Sequence, residues 1–301
     1  MANSVAAGSH RAGFVALGGR SNVGKSSLLN LLVGRKVAIV TPKPQTTRRR
    51  IVGIRSDADA QIIFIDSPGI HESSRPLNRR MVETARRSMA EGEVMLGVIE
   101  AGDRLSDADR AFIAEMRRMK RPRILAVNKI DLVARTALAP MLEQCHQAIA
   151  EAEIVPVSAL TGENASELLE TIKSTLPSGP SLMPEDEYTD QTERVLAAEI
   201  IREKLFIRLQ DEIPFSTAVV VEEFVEEPEK KLIRISALIV VERESHKGIV
   251  IGKGGAMLKQ IGTEARMEME TMFGWRVFLK LRVKADPGWT RNPRKFEEMG
   301  L

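Results

Sequence analysis

The sequence predicts an α/β domain with a mixed, mostly parallel sheet covered by helices on both faces, followed by a smaller α+β domain. Three observations carry this. Short apolar runs alternate with helical patterns up to residue 176, a Pro/Ser/Gly break follows, and beyond it the order of elements changes. At 301 residues there is room for about two domains, each with its own core.

Residues 14–17, 62–65, 94–99, 124–127 and 154–157 are apolar runs of strand length. Residues 26–33, 77–91, 107–119, 139–151 and 165–176 between them carry helical patterns. Continuous apolar strands alternating with helices are what a parallel sheet buried on both faces requires. Residues 49–55 and 61–65, joined by the polar turn Ser56-Asp57-Ala58-Asp59, read as a hairpin within that sheet. Pro177-Ser178-Gly179-Pro180 and then Pro184 among acidic residues have linker composition, so the expected domains are 1–180 and 181–301. The second contains an amphipathic helix over 192–209, strands over 217–225 and 232–241, a glycine loop, a helix over about 256–272 and a strand over 276–283. There is no internal repeat.

Composition excludes several classes. Aromatics are 4% of the chain, so the cores must be built from aliphatic residues and Met. The single cysteine, Cys145, rules out an internal disulfide and fits a reducing compartment. His10, His71, His146 and His246 are scattered without metal-ligand spacing. No apolar run reaches the ~20 residues of a membrane span, and residues 1–12 lack the apolar core of a signal peptide. A cytoplasmic protein is expected. The net charge of +3 divides unevenly: +6 over 1–180 (25 basic, 19 acidic), −7 over 181–240 (7 and 14) and +4 over 241–301 (12 and 8). The last segment is where a polyanion would dock, although ordinary solvated surface accounts for the charge equally well.

Gly19-Arg20-Ser21-Asn22-Val23-Gly24-Lys25-Ser26, with Ser27 after it, matches GxxxxGK[ST] between the first strand and the first helix. Glycines let the backbone curl so that several N–H groups face one phosphate chain, and the helix N-terminus adds positive potential. Lys25 supplies a charge to the β- and γ-phosphates, and Ser26 a hydroxyl ligand to Mg²⁺. Asp66-Ser67-Pro68-Gly69 ends a strand in the DxxG pattern: Asp66 holds the metal's water shell, and the Gly69 N–H senses the γ-phosphate. Asn128-Lys129-Ile130-Asp131 ends another strand in the NKxD pattern, and Ser158-Ala159-Leu160 follows the next. Asp131 accepts from the ring N–H and exocyclic amine of guanine, which adenine lacks, so the site selects GTP and GDP. Asn128 braces the loops, the Lys129 stem lies over the base, and the Ala159 N–H meets the guanine carbonyl.

Between the first helix and second strand, Thr41-Pro42-Lys43-Pro44-Gln45-Thr46-Thr47-Arg48 is a candidate switch. A threonine here binds Mg²⁺ only beside the γ-phosphate, and Thr47 is favoured over Thr46. Lys25, Thr47 and Gly69 are thus the expected catalytic set. Ile70 stands where Ras-like enzymes carry a water-positioning glutamine, which predicts slow intrinsic hydrolysis. Asn22 either holds K⁺ beside the phosphates or simply stabilises the turn. Arg48, Arg49 and Arg50 offer a charge in cis, or a basic patch for a partner.

In the second domain, Val250-Ile251-Gly252-Lys253-Gly254-Gly255 reads as the GxxG loop of a type II KH domain, which grips about four unpaired nucleotides. Glycines let the chain approach sugar and phosphate, Lys253 adds charge, and Val250, Ile251 and Ile261 form an apolar wall for bases. A helix-capping glycine loop is the plainer alternative. Trp275 is assigned to the core; Trp289, near Arg291, Arg294 and Lys295, either touches RNA or anchors the tail.

With GRSNVGKS, QTTR, DSPG, NKID and SAL followed by VIGKGG, the chain resembles the Era family of bacterial Ras-like GTPases over about residues 12–285. Related TrmE- and Der-type GTPases share the first half but lack this ending. A monomer is expected. The resemblance implies a cytoplasmic assembly factor for the small ribosomal subunit that binds single-stranded RNA at the 3′ end of 16S rRNA. It also implies a fraction attached peripherally to the inner membrane, and release of RNA on GTP hydrolysis. Two other readings stay open: a GTP-regulated factor for another RNA or a membrane complex, and a GTP-dependent scaffold with negligible hydrolysis.

Overall fold

The computed structural model describes residues 10–68 and 76–299. Backbone contacts divide the chain into two units. One comprises Met1–Ala38, Thr47–Glu72 and Met81–Asp190, and the other Ile39–Thr46, Ser73–Arg80 and Gln191–Leu301. Residues 181–190, read from sequence as linker, belong with the first unit: Gln61 Oε1 accepts from the Leu182 and Met183 N–H groups, and the Ile54 N–H donates to the Tyr188 carbonyl.

The first unit runs β1 (Arg11–Gly18), α1 (Lys25–Val33), β2 (Ile51–Ser56), β3 (Ala60–Asp66), α2 (Pro76–Glu91, counted in this unit from Met81 onward), β4 (Val94–Glu100), α3 (Asp107–Arg117), β5 (Arg123–Asn128), α4 (Arg135–Ala148), β6 (Glu153–Val157) and α5 (Ala165–Thr175). Its six strands lie in the order β2-β3-β1-β4-β5-β6, all parallel except the β2–β3 hairpin. Strand alternation deals apolar side chains to two cores. Val15, Leu17, Leu96, Val98, Ile124 and Ala126 pack with α1 and α5, whereas Ala16, Met95, Ile99, Leu125 and Val127 pack with α3 and α4. Both faces are dry, so β3 is buried at every position. Helix α4 begins before the expected residue 139; Pro140 mimics a helix start but lies inside the helix.

The second unit runs α6 (Glu193–Arg208), β7 (Thr217–Glu227), β8 (Leu232–Val241), α7 (Glu244–Ile251), α8 (Ala256–Phe273), β9 (Arg276–Ala285) and α9 (Pro293–Glu298). The sheet order is β7-β8-β9, antiparallel then parallel, and one face packs on α6 and α8 through Ile201, Leu205, Ile235, Ile239, Ile261 and Met269. Among the described residues, no helix is long and apolar enough to cross a membrane.

Candidate nucleotide site and RNA groove

Parallel pairing sets the C-terminal ends of β1, β3, β5 and β6 along one edge of the first sheet, and the loops leaving them carry the motifs. Gly19 and Gly24 are fixed by geometry. Gly24 has φ 92°, and a Cβ there would lie 2.3 Å from Asn128 Nδ2; at Gly19, φ 146°, one would meet the Val98 carbonyl at 2.3 Å. Lys25 is buried and donates to the carbonyls of Gly19 (3.1 Å) and Arg20 (2.9 Å), which lays the ammonium along the loop. The Arg20 side chain points away from the loop, to Asp109 (2.9 Å) and Glu100 (3.5 Å), so only its backbone is available to phosphate. Ser21 to Val23 complete the turn; Asn22 is exposed with φ 68°, and Ser27 lies in the first turn of α1.

Three oxygens from three segments meet beside Lys25. Ser26 Oγ lies 2.9 Å from Thr47 Oγ1 and donates to Asp66 Oδ2 at 2.8 Å. Thr46 faces elsewhere, with its hydroxyl on Thr41 (2.6 Å) and the Lys43 carbonyl (2.8 Å). Asp66 is fully buried, and its Oδ1 accepts from the Ser67 N–H at 2.8 Å, with Pro68 buried next to it. Burial pushes the Lys25 ammonium down and the Asp66 carboxyl up, and each partner's charge opposes that push. Two hydroxyls and one carboxylate are hard oxygen donors, which suits Mg²⁺ and not a soft metal. Gly69 and Ile70 lie outside the described residues.

Asn128, buried at the end of β5, ties two loops together: Nδ2 donates to the Val23 carbonyl (2.8 Å), and Oδ1 accepts from the Ala159 N–H (2.9 Å). That Ala159 N–H was expected to face a guanine carbonyl; here Asn128 already engages it, so a base would share it. Ser158 Oγ donates to Asp131 Oδ1 at 2.5 Å and orients the carboxylate, a role sequence reading did not assign. Lys129, at φ 67°, pairs with Glu100 at 3.1 Å. Leu160 is 83% exposed on the same loop.

In the second unit, Gly252 (φ 73°), Gly254 (59°) and Gly255 (80°) form the tight link between α7 and α8, with Lys253 exposed. Only glycine takes this run of positive φ at low cost. One expectation is corrected, and one open choice is decided. Val250 and Ile261 are fully buried in the core and Ile251 is half-buried, so Val250 and Ile261 cannot wall a groove. The cleft beside the loop, about 380 Å³, is lined instead by Leu258, Lys259, Arg266, Leu279 and Leu281, with Gly262 at its base. The signal was present: positions 255, 258, 259, 262, 263 and 266 share one helix face. Trp289 is also fully buried and donates to the Ser216 carbonyl at 3.3 Å; it anchors the tail and does not present its ring to RNA.

Comparison with known proteins agrees with this architecture. Residues 14–129 match the family described as 50S ribosome-binding GTPase, and residues 212–290 match the KH domain. The chain is 49% identical to GTPase Era of Syntrophus aciditrophicus, over 96% of this chain and 95% of that one. It is 44% identical to GTPase Era of Geobacter metallireducens, over 96% and 97%. A single-residue variant of Aquifex aeolicus Era bound to GDP and AlF4⁻ superposes with TM-score 0.93 at 41% identity, covering 96% of this chain and 99% of that one. Era in complex with MgGDPNP and nucleotides 1506–1542 of 16S ribosomal RNA matches with the same score and identity, over 97% and 99%.

Proposed function

Because the chain belongs to the Era family of GTPases, we propose that it is a GTP-controlled switch whose KH unit grips single-stranded 16S rRNA at its 3′ end during assembly of the small ribosomal subunit. The nucleotide half rests on the Ser26–Thr47–Asp66 oxygen cluster beside Lys25. The relative solved with a 16S rRNA segment supports the RNA half.

The N–H groups of residues 19–27 and the Lys25 ammonium hold the phosphates. Ser26 and Thr47 would hold Mg²⁺ directly and Asp66 through water, and the bound ion would supply positive charge beside the phosphates. Asp131, held by Ser158, reads the ring N–H and amine of guanine, and Asn128 keeps the phosphate and base loops in register. Thr47 joins this set from the segment between α1 and β2, so order in that segment depends on the γ-phosphate. The role of Gly69 rests on the DxxG pattern. With Ile70 following it, turnover is slow, and Asn22, exposed at the turn, supports a K⁺ beside the phosphates. In the KH unit, Gly252 to Gly255 hold the RNA backbone and Lys253 adds a charge.

Protein in excess over nucleotide, with Mg²⁺, should release phosphate from GTP and not from ATP, and Lys25→Ala should abolish release. Unchanged release by that variant would refute the site. Turnover should be faster in K⁺ than in Na⁺; equal rates would remove only the role given to Asn22.

A further inference from the structure

Strand β9 has two different faces. Val277, Leu279, Leu281 and Val283 face the helices, and Leu279 and Leu281 line the cleft beside the glycine loop. Arg276, Phe278, Lys280, Arg282 and Lys284 alternate with them, and all five are exposed. Same-face residues on a strand are roughly 6.6 Å apart, so four cations form one straight row. Phe278 is 54% exposed in a chain poor in aromatics, and the Arg234 guanidinium lies 5.4 Å from its ring centroid. Together they make an exposed aromatic–guanidinium pair of the kind on which an unpaired base stacks.

The far strand of this sheet face has the opposite sign. On β7, Glu222 and Glu223 are exposed beside the β8 residue that pairs with Lys280; Glu222 holds Arg282 at 2.5 Å, and Glu227 holds Arg234. Lys280 and Lys284 have no ion-pair partner among the described residues. A polyanion is therefore attracted along β9 and repelled from β7. Because β9 is the edge strand, nothing in this sheet separates the cleft on one side from the cation row on the other.

We propose that the outer face of β9 is a second RNA contact, in which Lys280, Lys284 and the Phe278–Arg234 pair hold the strand that leaves the loop cleft and crosses the sheet edge. This rests on the KH reading above. The glycine loop takes about four nucleotides, so the second contact adds length to the footprint and no base readout.

The test is a salt titration of binding by the full chain, comparing a four-nucleotide RNA with one of about twelve. Removing one cation from a phosphate lowers the log–log salt slope by about 0.7 for a single strand. Lys280→Ala/Lys284→Ala should lower the slope for the longer RNA by about 1.4 and weaken its binding for any flanking sequence, with the short RNA unaffected. Phe278→Ala should weaken only the longer RNA, without changing the slope. Unchanged binding of both RNAs, as expected of a face made for an acidic protein, would overturn the proposal; so would equal weakening of both, with thermal unfolding showing the variant folded. Failure of the unaltered chain to bind either RNA would instead remove the KH reading itself.

Discussion

In the proposed site, base selection rests on one carboxylate, that of Asp131, which Ser158 orients. Asp131→Asn turns an acceptor-only group into a donor–acceptor, so it should lose at least about a hundredfold in GTP affinity. It should gain affinity for xanthosine triphosphate, whose ring carries a carbonyl in place of the amine; nucleotide titration by fluorescence measures both. Gly24→Ala places a methyl where Asn128 Nδ2 lies 2.3 Å away, at φ 92°. It should displace Asn128 from Val23 and cost about tenfold or more in GTP binding, near 1.4 kcal/mol. Cys145 is the opposite case. It is fully buried, and burial, with a smaller effect of Asp109, pushes its thiol up to about 11. Native protein should resist alkylation at neutral pH and react only when unfolded, followed by mass shift.

Strand alternation and the loop motifs were legible in the sequence because parallel strands need unbroken apolar runs and phosphate loops need glycine at fixed spacing. What escaped were contacts made by residues distant in the chain. Ser158 and Asp131 are 27 residues apart and meet only through β5–β6 pairing. Trp289 sits in a basic tail that looks solvent-exposed until the tail is seen to close over Ser216. Trp289→Ala should cost about 3–5 kcal/mol in urea unfolding. Helix α5 is tied to the β2–β3 turn by Lys173, which pairs with Asp57 (3.1 Å) and Asp59 (3.0 Å). Burial alone would raise the Asp57 carboxyl, but Arg55 and Lys173 outweigh it and hold it below its usual range. A carboxyl depressed in the folded state stabilises above its unfolded pKa and loses that contribution as pH falls, here below about 4. Lys173→Met should flatten the acid limb of the Tm–pH curve; parallel curves would exclude the tie.

At the scale of the molecule, two recognition chemistries share one chain, a GTPase unit and a KH unit, and we propose the strand ends of the first for nucleotide and the glycine loop of the second for RNA. Gly252→Asp/Gly255→Asp adds negative charge and side chains where RNA must approach, so it should abolish RNA binding while leaving GTP binding intact. Loss of both would mean that the units do not work separately. The units form one switch only if RNA held by one alters the chemistry of the other, and the direct test is GTP hydrolysis with Mg²⁺ and K⁺, with and without a short RNA matching the 3′ end of 16S rRNA. Faster turnover with that RNA, and none with an unrelated single strand, is the predicted result. A rate indifferent to the RNA, measured where the RNA is shown to be bound, would contradict it.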